Sequence, residues 1–216
     1  MNVELARRQM IEQQVRAWSV LDDRVLGAMA QVRRELFVPP GYRELAFADT
    51  NIPLGHGQWM LAPKVEGRIL QALELNVEDE VLEVGTGSGF LSACLARLAG
   101  RVRSVEISPD LSANAVENLR ASGISGVGVE TLDALTIAEE NRYDAIAVTG
   151  SMPVYDERFQ RALKVGGRLF VVLGDAPVMD ALLVRRLSRD QWVRESLFET
   201  MLEPLVNAPQ SPRFLF

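Results

Sequence analysis

The chain has 216 residues, 48% of them hydrophobic, and carries a formal net charge of −6 at pH 7. This length supports one α/β domain with a sizeable core, alone or with a small extension. The acidic balance argues against nucleic acids as partners, because they are polyanions. The single cysteine, Cys94, excludes an intramolecular disulfide framework, and the single histidine, His56, argues against a histidine-based site, so we expect no metal.

The first residues contain charged Glu4, Arg7 and Arg8 rather than an apolar signal segment. No apolar run in the sequence is long enough to cross a membrane. Together with the single cysteine, these features predict a cytoplasmic protein with no membrane partner. No segment marks an interface between copies of the chain, and a monomer is therefore the default expectation.

Helices are predicted in the first third of the chain. One covers residues 3–18, and another begins after Asp22-Asp23, with Arg33-Arg34 in its last turn, where positive charge complements the helix dipole. Residues 42–63 show no long periodicity, and a loop of this length in a compact domain is usually functional. Helical periodicity resumes near Lys64.

Strands and helices alternate regularly after residue 76. Strands are predicted at 80–84, 101–105, 126–130, 143–148 and 168–173, and helices at 88–98, 109–121 and 155–163. This alternation predicts a parallel, doubly wound sheet. The short connection at 188–191 predicts that the last two strands are antiparallel to each other. Lys164 and Arg168 are expected on the solvated surface, and the tail from Asn207 is expected to be loosely held unless Phe214–Phe216 docks.

The most informative stretch is Val81–Phe90, in which a strand leads into glycines at alternate positions and then into an amphipathic helix. Glycines spaced in this way allow a tight turn and let a ligand approach the main chain closely. The pattern is typical of the first β-turn-α unit of a nucleotide-binding fold. The predicted contacts are Gly85, Thr86, Gly87, Ser88 and Gly89.

Two acidic residues narrow the choice of ligand. Glu106, followed by Ile107, ends the next strand, where a carboxylate accepts hydrogen bonds from a ribose diol. Glu83, just before the glycines, would repel a pyrophosphate and favour a ligand that carries a cationic sulfonium or ammonium group. The pattern therefore favours S-adenosylmethionine over a dinucleotide, although Glu83 could instead form only a local cap or pair, and a dinucleotide-binding oxidoreductase stays open.

Several motifs together resemble those of protein-L-isoaspartate O-methyltransferases. The segments Arg34–Pro39, Ala46–Asp49 and Ile52–Gln58 resemble the N-terminal signature of that family. The later motifs match in order at the glycine turn, Glu106, Asp133-Ala134 and Leu163–Leu169. The resemblance spans roughly residues 8–205, and the segment 34–58 is the part that distinguishes this family from other methyltransferases.

The resemblance implies an α/β fold: a Rossmann-like class I methyltransferase sheet whose last strand is antiparallel. Residues 1–75 would supply N-terminal helices and a substrate-side loop, and residues 76–216 would form the core that binds S-adenosylmethionine and releases S-adenosylhomocysteine. Cofactor contacts would map onto the turn glycines for the methionine part, Glu106 for the ribose, and Asp133-Ala134 for the adenine edge. Asp133 could alternatively be only a strand-end cap.

The family methylates the misplaced α-carboxyl group of isoaspartyl residues, and the ester collapses to a succinimide that gives a route back to aspartate. The implied partner is a damaged protein or peptide, and the implied role is protein repair. The candidate substrate-side residues follow the glycine-rich loop and the fourth core strand: His56, Gly57, Gln58, Trp59, Met60, Leu61, Thr149, Gly150 and Ser151.

The chain departs from the family after Gln58, where Trp59-Met60-Leu61 replaces a Thr-Ile-Ser-type run and Leu61 stands in the place of the active-site serine. The leucine side chain forms no hydrogen bonds, so the catalytic residue stays unknown. The acceptor carboxylate is already ionised near neutral pH, and positioning supplies much of the rate, so weak activity is expected. Two alternatives stay open: a divergent methyltransferase for another, unidentified small acceptor, and a non-catalytic regulatory module that binds S-adenosylmethionine. Trp59 and Met60 could also simply pack in the core.

Overall fold

The computed structural model describes residues 2–210, so that Phe214–Phe216 lies outside the described residues. The helices are α1 (Val3–Met10), α2 (Asp23–Gln31), α3 (Pro63–Ala72), α4 (Phe90–Leu98), α5 (Pro109–Ala121) and α6 (Glu157–Ala162). The strands are β1 (Ile52–Gly55), β2 (Gln58–Met60), β3 (Glu80–Val84), β4 (Arg101–Glu106), β5 (Val127–Thr131), β6 (Tyr143–Met152), β7 (Leu163–Asp175), β8 (Val178–Ser188) and β9 (Gln191–Glu199).

A mixed sheet of seven strands, in the order β5-β4-β3-β6-β7-β8-β9, forms the centre of the molecule. Strands β3 to β7 pair in parallel, and the pairings of β8 with β7 and of β9 with β8 are antiparallel. The central strand β3 is buried on both faces, as the apolar Val81, Leu82 and Val84 require. The predicted α/β fold, with its last strand antiparallel to its neighbour, is confirmed.

The helix ends of the core follow their sequence signals. Helix α5 begins at Pro109, where the Ser108 hydroxyl accepts a hydrogen bond from the Leu111 N–H (3.5 Å). Helix α4 begins at Phe90 rather than at residue 88, because Gly89 has a φ of +84°, which a helix does not allow. The connection between β3 and α4 is therefore a turn of five residues, 85–89.

The N-terminal region differs from its predicted form in two respects. The helix expected over residues 3–18 divides into α1, a π-helical turn at Ile11–Val15 and a 3₁₀ turn at Arg16–Trp18. Helix α2 ends at Gln31, so that Arg34 does not lie in its last turn and does not complement its dipole. Arg34 is instead fully buried and forms an ion pair with buried Glu66.

The segment 42–63, predicted as a loop without periodicity, contains regular structure. A 3₁₀ turn covers Pro40–Leu45, and β1 pairs with β2 in an antiparallel hairpin. His56 and Gly57 form its two-residue turn with φ values of +53° and +71°, as a type I′ turn requires. The hairpin sequence is too short for its alternation to be recognised.

Long-range contacts attach the N-terminal region to the sheet. The main core cluster contains N-terminal Met10 and Ile69 together with Phe170 of the sheet. Arg168, expected on the surface, is buried and donates hydrogen bonds to the Leu73 carbonyl (2.7 Å) and to Asp79 (2.8 Å).

None of the helices between residues 2 and 210 is both long and apolar enough to cross a membrane.

The segment after β9 crosses the carboxyl ends of the parallel strands. The Ser151 N–H donates to the Glu203 carbonyl, and the Leu205 N–H donates to the Ser151 carbonyl, both at 2.9 Å. The Asn207 side-chain amide also donates a hydrogen bond to Asp133 Oδ2 (2.9 Å). The tail from Asn207, expected to be loosely held, is therefore held at its first residue. This C-terminal segment, Met201–Gln210, covers the edge of the sheet where ligands bind in such folds.

Candidate active site

Two adjoining spaces open at the carboxyl ends of the parallel strands. The first, here the inner crevice, lies against the glycine turn and is narrow, with a volume of about 80 Å³. The second, here the outer cavity, has a volume of about 590 Å³ and is bounded by the hairpin, the end of β7 and the C-terminal segment. Gln58, Trp59 and Thr149 line both spaces and form their shared wall.

The glycine turn forms one side of the inner crevice. Gly85, Gly87 and Gly89 have φ values of +90°, +54° and +84°, in the left-handed region that favours glycine. A Cβ atom at position 85 would lie 2.4 Å from Thr149 Oγ1, and one at position 87 would lie 3.2 Å from a Leu54 methyl. The turn therefore keeps its main chain bare where it lines the crevice at Gly85 and Gly87.

The other turn residues support the turn from behind. The Thr86 hydroxyl is buried and lies 2.6 Å from the Ser104 hydroxyl, with which it shares a hydrogen bond. The Ser88 hydroxyl accepts a hydrogen bond from the Phe90 N–H (3.3 Å), and Gly89 packs against Ala115 of α5. Thr86, Ser88 and Gly89 are thus predicted cofactor residues that do not line the crevice.

Glu83 lies beneath the turn rather than in the crevice. It is fully buried, and the Ser92 and Ser104 hydroxyls both donate to its Oε2. Burial raises the pKa of its carboxyl to about 7, because the two serine hydrogen bonds offset only part of the desolvation. Glu83 thus pairs locally with two serines, as one of the two sequence alternatives had it. Because its carboxyl does not line the crevice, it can act on a bound cation only electrostatically, across the turn.

Glu106 and Asp133 line the crevice at the ends of successive strands. Glu106 accepts hydrogen bonds from the Gly87 N–H (2.9 Å) and the Ser108 N–H (3.0 Å), so its carboxylate is held at the mouth of the turn. Asp133 accepts one from the Leu135 N–H (2.9 Å), which is the strand-end cap considered above. Ile107 and Ala134, the other two predicted cofactor residues, complete this side of the crevice.

Most of the predicted substrate-side residues line one or both of the two spaces. Leu61 and Ser151 line the outer cavity, and Gly150 lines the inner crevice, in addition to the three residues of the shared wall. Met60 is buried in the core, as one of the two sequence alternatives had it. Trp59 is 44% exposed at the cavity and does not pack in the core.

The hairpin tip lies away from the outer cavity. His56 Nε2 is 3.4 Å from Asp110 Oδ2 of α5, and His56 lines neither space. Gly57 next to it has nothing near the position of a Cβ atom. His56 and Gly57 therefore shape the hairpin, and the structure does not bring them to the substrate side of the site.

Sequence reasoning missed several residues that line the two spaces. Thr50 and Asn51 precede the hairpin and line the outer cavity. The C-terminal segment supplies Met201 and Leu202 to the outer cavity and Leu205 to the inner crevice. No motif marked these residues, because they reach the site through contacts between distant parts of the chain.

The residues along the inner crevice have the chemistry that the parts of S-adenosylmethionine require. A bare main chain at Gly85 and Gly87 admits a ligand where a side chain would collide. The Glu106 carboxylate is placed to accept hydrogen bonds from a ribose diol, and Asp133-Ala134 borders the far end. Across residues 2–210 there is no group of three histidine, cysteine or acidic side chains that could hold a metal ion.

Comparison with known proteins assigns the family. The family profile described as protein-L-isoaspartate(D-aspartate) O-methyltransferase matches residues 5–210, which include the hairpin and the C-terminal segment as well as the glycine turn. The chain belongs to this family. The family match agrees with the resemblance found in the sequence and covers both spaces of the site.

Curated relatives of the isoaspartyl methyltransferase family match along most of the chain. The chain is 39% identical over 209 residues to protein-L-isoaspartate O-methyltransferase 2 of Pelobacter propionicus, covering 96% of this chain and 93% of the relative. It is 40% identical over 185 residues to the enzyme of Methanoculleus marisnigri, covering 85% and 84%. Relatives with this name and this coverage make the chain an S-adenosylmethionine-dependent carboxyl O-methyltransferase.

Solved structures agree with the fold of the family. A Plasmodium falciparum protein-L-isoaspartate O-methyltransferase in complex with S-adenosyl-L-homocysteine superposes with a TM-score of 0.82 at 21% identity, covering 92% of this chain and 97% of the other. A second protein-L-isoaspartate O-methyltransferase gives a TM-score of 0.77 at 23% identity, covering 92% and 65%. At these identities the likeness supports the fold alone, a Rossmann-like class I methyltransferase.

Proposed function

We propose that this chain methylates the α-carboxyl group of isoaspartyl residues in damaged proteins. The observation that carries the proposal is the shared wall of Gln58, Trp59 and Thr149, which places the outer cavity directly beside the inner crevice. The hairpin contributes Gln58 and Trp59 to this wall and carries the sequence that resembles the family signature. The curated relatives named above carry the isoaspartyl name, which supports this acceptor and gives the divergent alternatives no support.

The cofactor would be held by the turn and by two acidic residues. Gly85 and Gly87 would border its methionine part, Glu106 its ribose and Asp133-Ala134 its adenine. When bound, S-adenosylmethionine supplies a methyl group that is activated by a cationic sulfur. Buried Glu83 lies two residues from Gly85, so its ionised form would favour that positive charge through the turn.

The acceptor needs positioning more than it needs a base. An isoaspartyl α-carboxyl is ionised near neutral pH, so no proton has to be removed before its oxygen attacks. The chain's task is to hold that oxygen at the shared wall and to keep water out, and orientation of this kind supplies much of an enzyme's rate. The outer cavity, at about 590 Å³, can admit the side chain and backbone of a peptide.

Leu61 makes the acceptor side less polar than in the family pattern. Its side chain lines the outer cavity and cannot donate a hydrogen bond to a carboxylate. Losing one donor to a charged group costs about 1.5–3 kcal/mol, or roughly tenfold to a hundredfold in rate. Measurable but weak methyl transfer is therefore expected of this chain.

The proposal is tested with a pair of synthetic peptides. One carries an isoaspartyl residue and the other has aspartate at the same position, and transfer of radiolabelled methyl groups from S-adenosylmethionine is measured with each. Methylation of the isoaspartyl peptide alone supports the proposal. Binding of S-adenosylhomocysteine by calorimetry without methylation of either peptide would show that the acceptor is a different molecule.

A further inference from the structure

We propose that the Asn51 side chain supplies the hydrogen bond to the acceptor carboxyl that no hydroxyl at position 61 can supply. Asn51 lines the outer cavity together with Leu61. The inference rests on the proposed function and identifies the group that recognises the carboxylate.

The orientation of the Asn51 amide is determined by its backbone partner. The Ala62 N–H donates to Asn51 Oδ1 at 2.8 Å. A backbone N–H needs an acceptor, so the oxygen faces Ala62 and the Nδ2 group, with two hydrogens, points the other way. Between residues 2 and 210 no hydrogen bond from Nδ2 of Asn51 is found, so both hydrogens are available to a ligand.

The same contact ties Asn51 to the segment that carries Leu61. The Arg34 guanidinium donates to the Leu61 carbonyl (2.7 Å) and to the Ala46 carbonyl (2.9 Å). Arg34 is itself held by Glu66 and lies over the Phe90 ring at 4.6 Å. The single peptide group between Leu61 and Ala62 is thus held at both of its polar atoms, the carbonyl by Arg34 and the N–H by Asn51, and this fixes Asn51 against the segment that carries position 61.

Several other polar groups of the outer cavity are less suited to the task, among them the Gln210 amide, which donates to the Ala208 carbonyl at 3.2 Å. The Thr149 hydroxyl is engaged by the Val84 carbonyl at 2.8 Å, and the Ser151 hydroxyl donates to the Leu202 carbonyl at 2.9 Å. Thr50 has only a long contact, 3.4 Å, to the Asn51 carbonyl, so its hydroxyl is not anchored. Gln58 and Trp59 also line the inner crevice and therefore serve the cofactor side as well.

The acidic lining of the outer cavity favours a hydrogen-bond donor for the acceptor carboxylate. Glu203 also lines the outer cavity, and a carboxylate that enters meets its negative charge. A neutral donor with two hydrogens offsets that repulsion without adding a buried charge. Asn51 lines the outer cavity but not the inner crevice, so a change at this position can be separated from a change in cofactor binding.

The test replaces Asn51 with its closest isostere. Asn51→Asp keeps an oxygen for the Ala62 N–H but replaces the donating group with a negatively charged acceptor. We expect KM for the isoaspartyl peptide to rise at least tenfold, while the Kd of S-adenosylhomocysteine stays within twofold of the wild type. Asn114→Asp, the same change at an exposed position of α5, serves as the matched control and leaves both values unchanged.

Further variants separate the role of Asn51 from the roles of its neighbours Thr50 and Leu61. Thr50→Val removes the nearby hydroxyl and is expected to change KM by less than twofold. Leu61→Ser restores the family hydroxyl, and Asn51→Ala is expected to cost less in that background than in the wild type, because the serine takes over. An active wild type with an unchanged Asn51→Asp variant would overturn this inference alone, whereas an inactive wild type would overturn it together with the proposed function.

Discussion

Replacing Gly85 with alanine tests the geometry of the glycine turn. The added Cβ atom would lie 2.4 Å from Thr149 Oγ1, and the backbone φ of +90° is strained for any residue with a Cβ atom. The conformational strain costs about 1–2 kcal/mol. Moving the Thr149 hydroxyl away from the Val84 carbonyl, which it contacts at 2.8 Å, costs about 1 kcal/mol more.

The total for Gly85→Ala is therefore about 2–3 kcal/mol of unfolding free energy. Gly123→Ala is the matched control, because Gly123 also has a positive φ (+66°) but nothing lies within 4 Å of its Cβ position. That variant should lose only the strain, about 1–2 kcal/mol. Urea unfolding of both variants measures the difference directly.

Binding gives a second readout for the same variant. Gly85 lines the inner crevice, so its alanine variant should bind S-adenosylhomocysteine at least tenfold more weakly, whereas Gly123→Ala should bind it normally. Adding Thr149→Ala to Gly85→Ala removes the atom that collides, and the double variant should be more stable than additivity predicts. Gly85→Ala with the stability of Gly123→Ala and with wild-type affinity would refute the reasoning.

Three further predictions follow from other parts of the site. Leu61→Ser should raise kcat/KM for an isoaspartyl peptide about tenfold or more, because a hydroxyl donor to a carboxylate is worth about 1.5–3 kcal/mol; Leu61→Ala, which makes space without a donor, should not. Arg34→Met should cost about 3–5 kcal/mol in urea unfolding, because it leaves the buried Glu66 carboxylate unpaired, and Glu66→Gln added to it should recover part of that loss. The pKa of Glu83 is raised to about 7 when folded, from 4.5, so its contribution to stability is present below pH 4.5 and is lost as the pH rises through 7. The unfolding free energy of Glu83→Gln should therefore rise relative to that of the wild type between pH 5 and pH 8, by an amount on the order of 3 kcal/mol. A difference in unfolding free energy that stays constant across that range would contradict the burial of the charge.

Local sequence signals predicted the core of the fold well. The glycine turn, the Ser108-Pro109 helix start and the alternation after residue 76 each depend on neighbouring residues, and the structure has the corresponding elements at nearly the same positions. Glu106 was placed correctly at a strand end because parallel strands end on one edge of the sheet. These features need no knowledge of distant contacts.

The features that sequence reasoning missed depend on long-range contacts. Arg34 looks like a helix-end charge, and only the fold brings it within reach of Glu66, which lies among the apolar residues of α3. Arg168 is buried for the same reason, by the loop after α3. The C-terminal segment and Asn51 carry no motif, so their place in the site could not be predicted from periodicity or spacing.

The most direct test of the account is a crystal structure of the protein with S-adenosylhomocysteine and an isoaspartyl peptide bound together. We predict the nucleoside in the inner crevice, with its ribose on Glu106, and the peptide α-carboxyl in the outer cavity within hydrogen-bonding distance of Asn51 Nδ2. The sulfur of the nucleoside and the carboxyl oxygen should face each other directly where the two spaces meet, beside Gln58, Trp59 and Thr149. A peptide carboxyl bound elsewhere, or a nucleoside outside the glycine turn, would contradict the account.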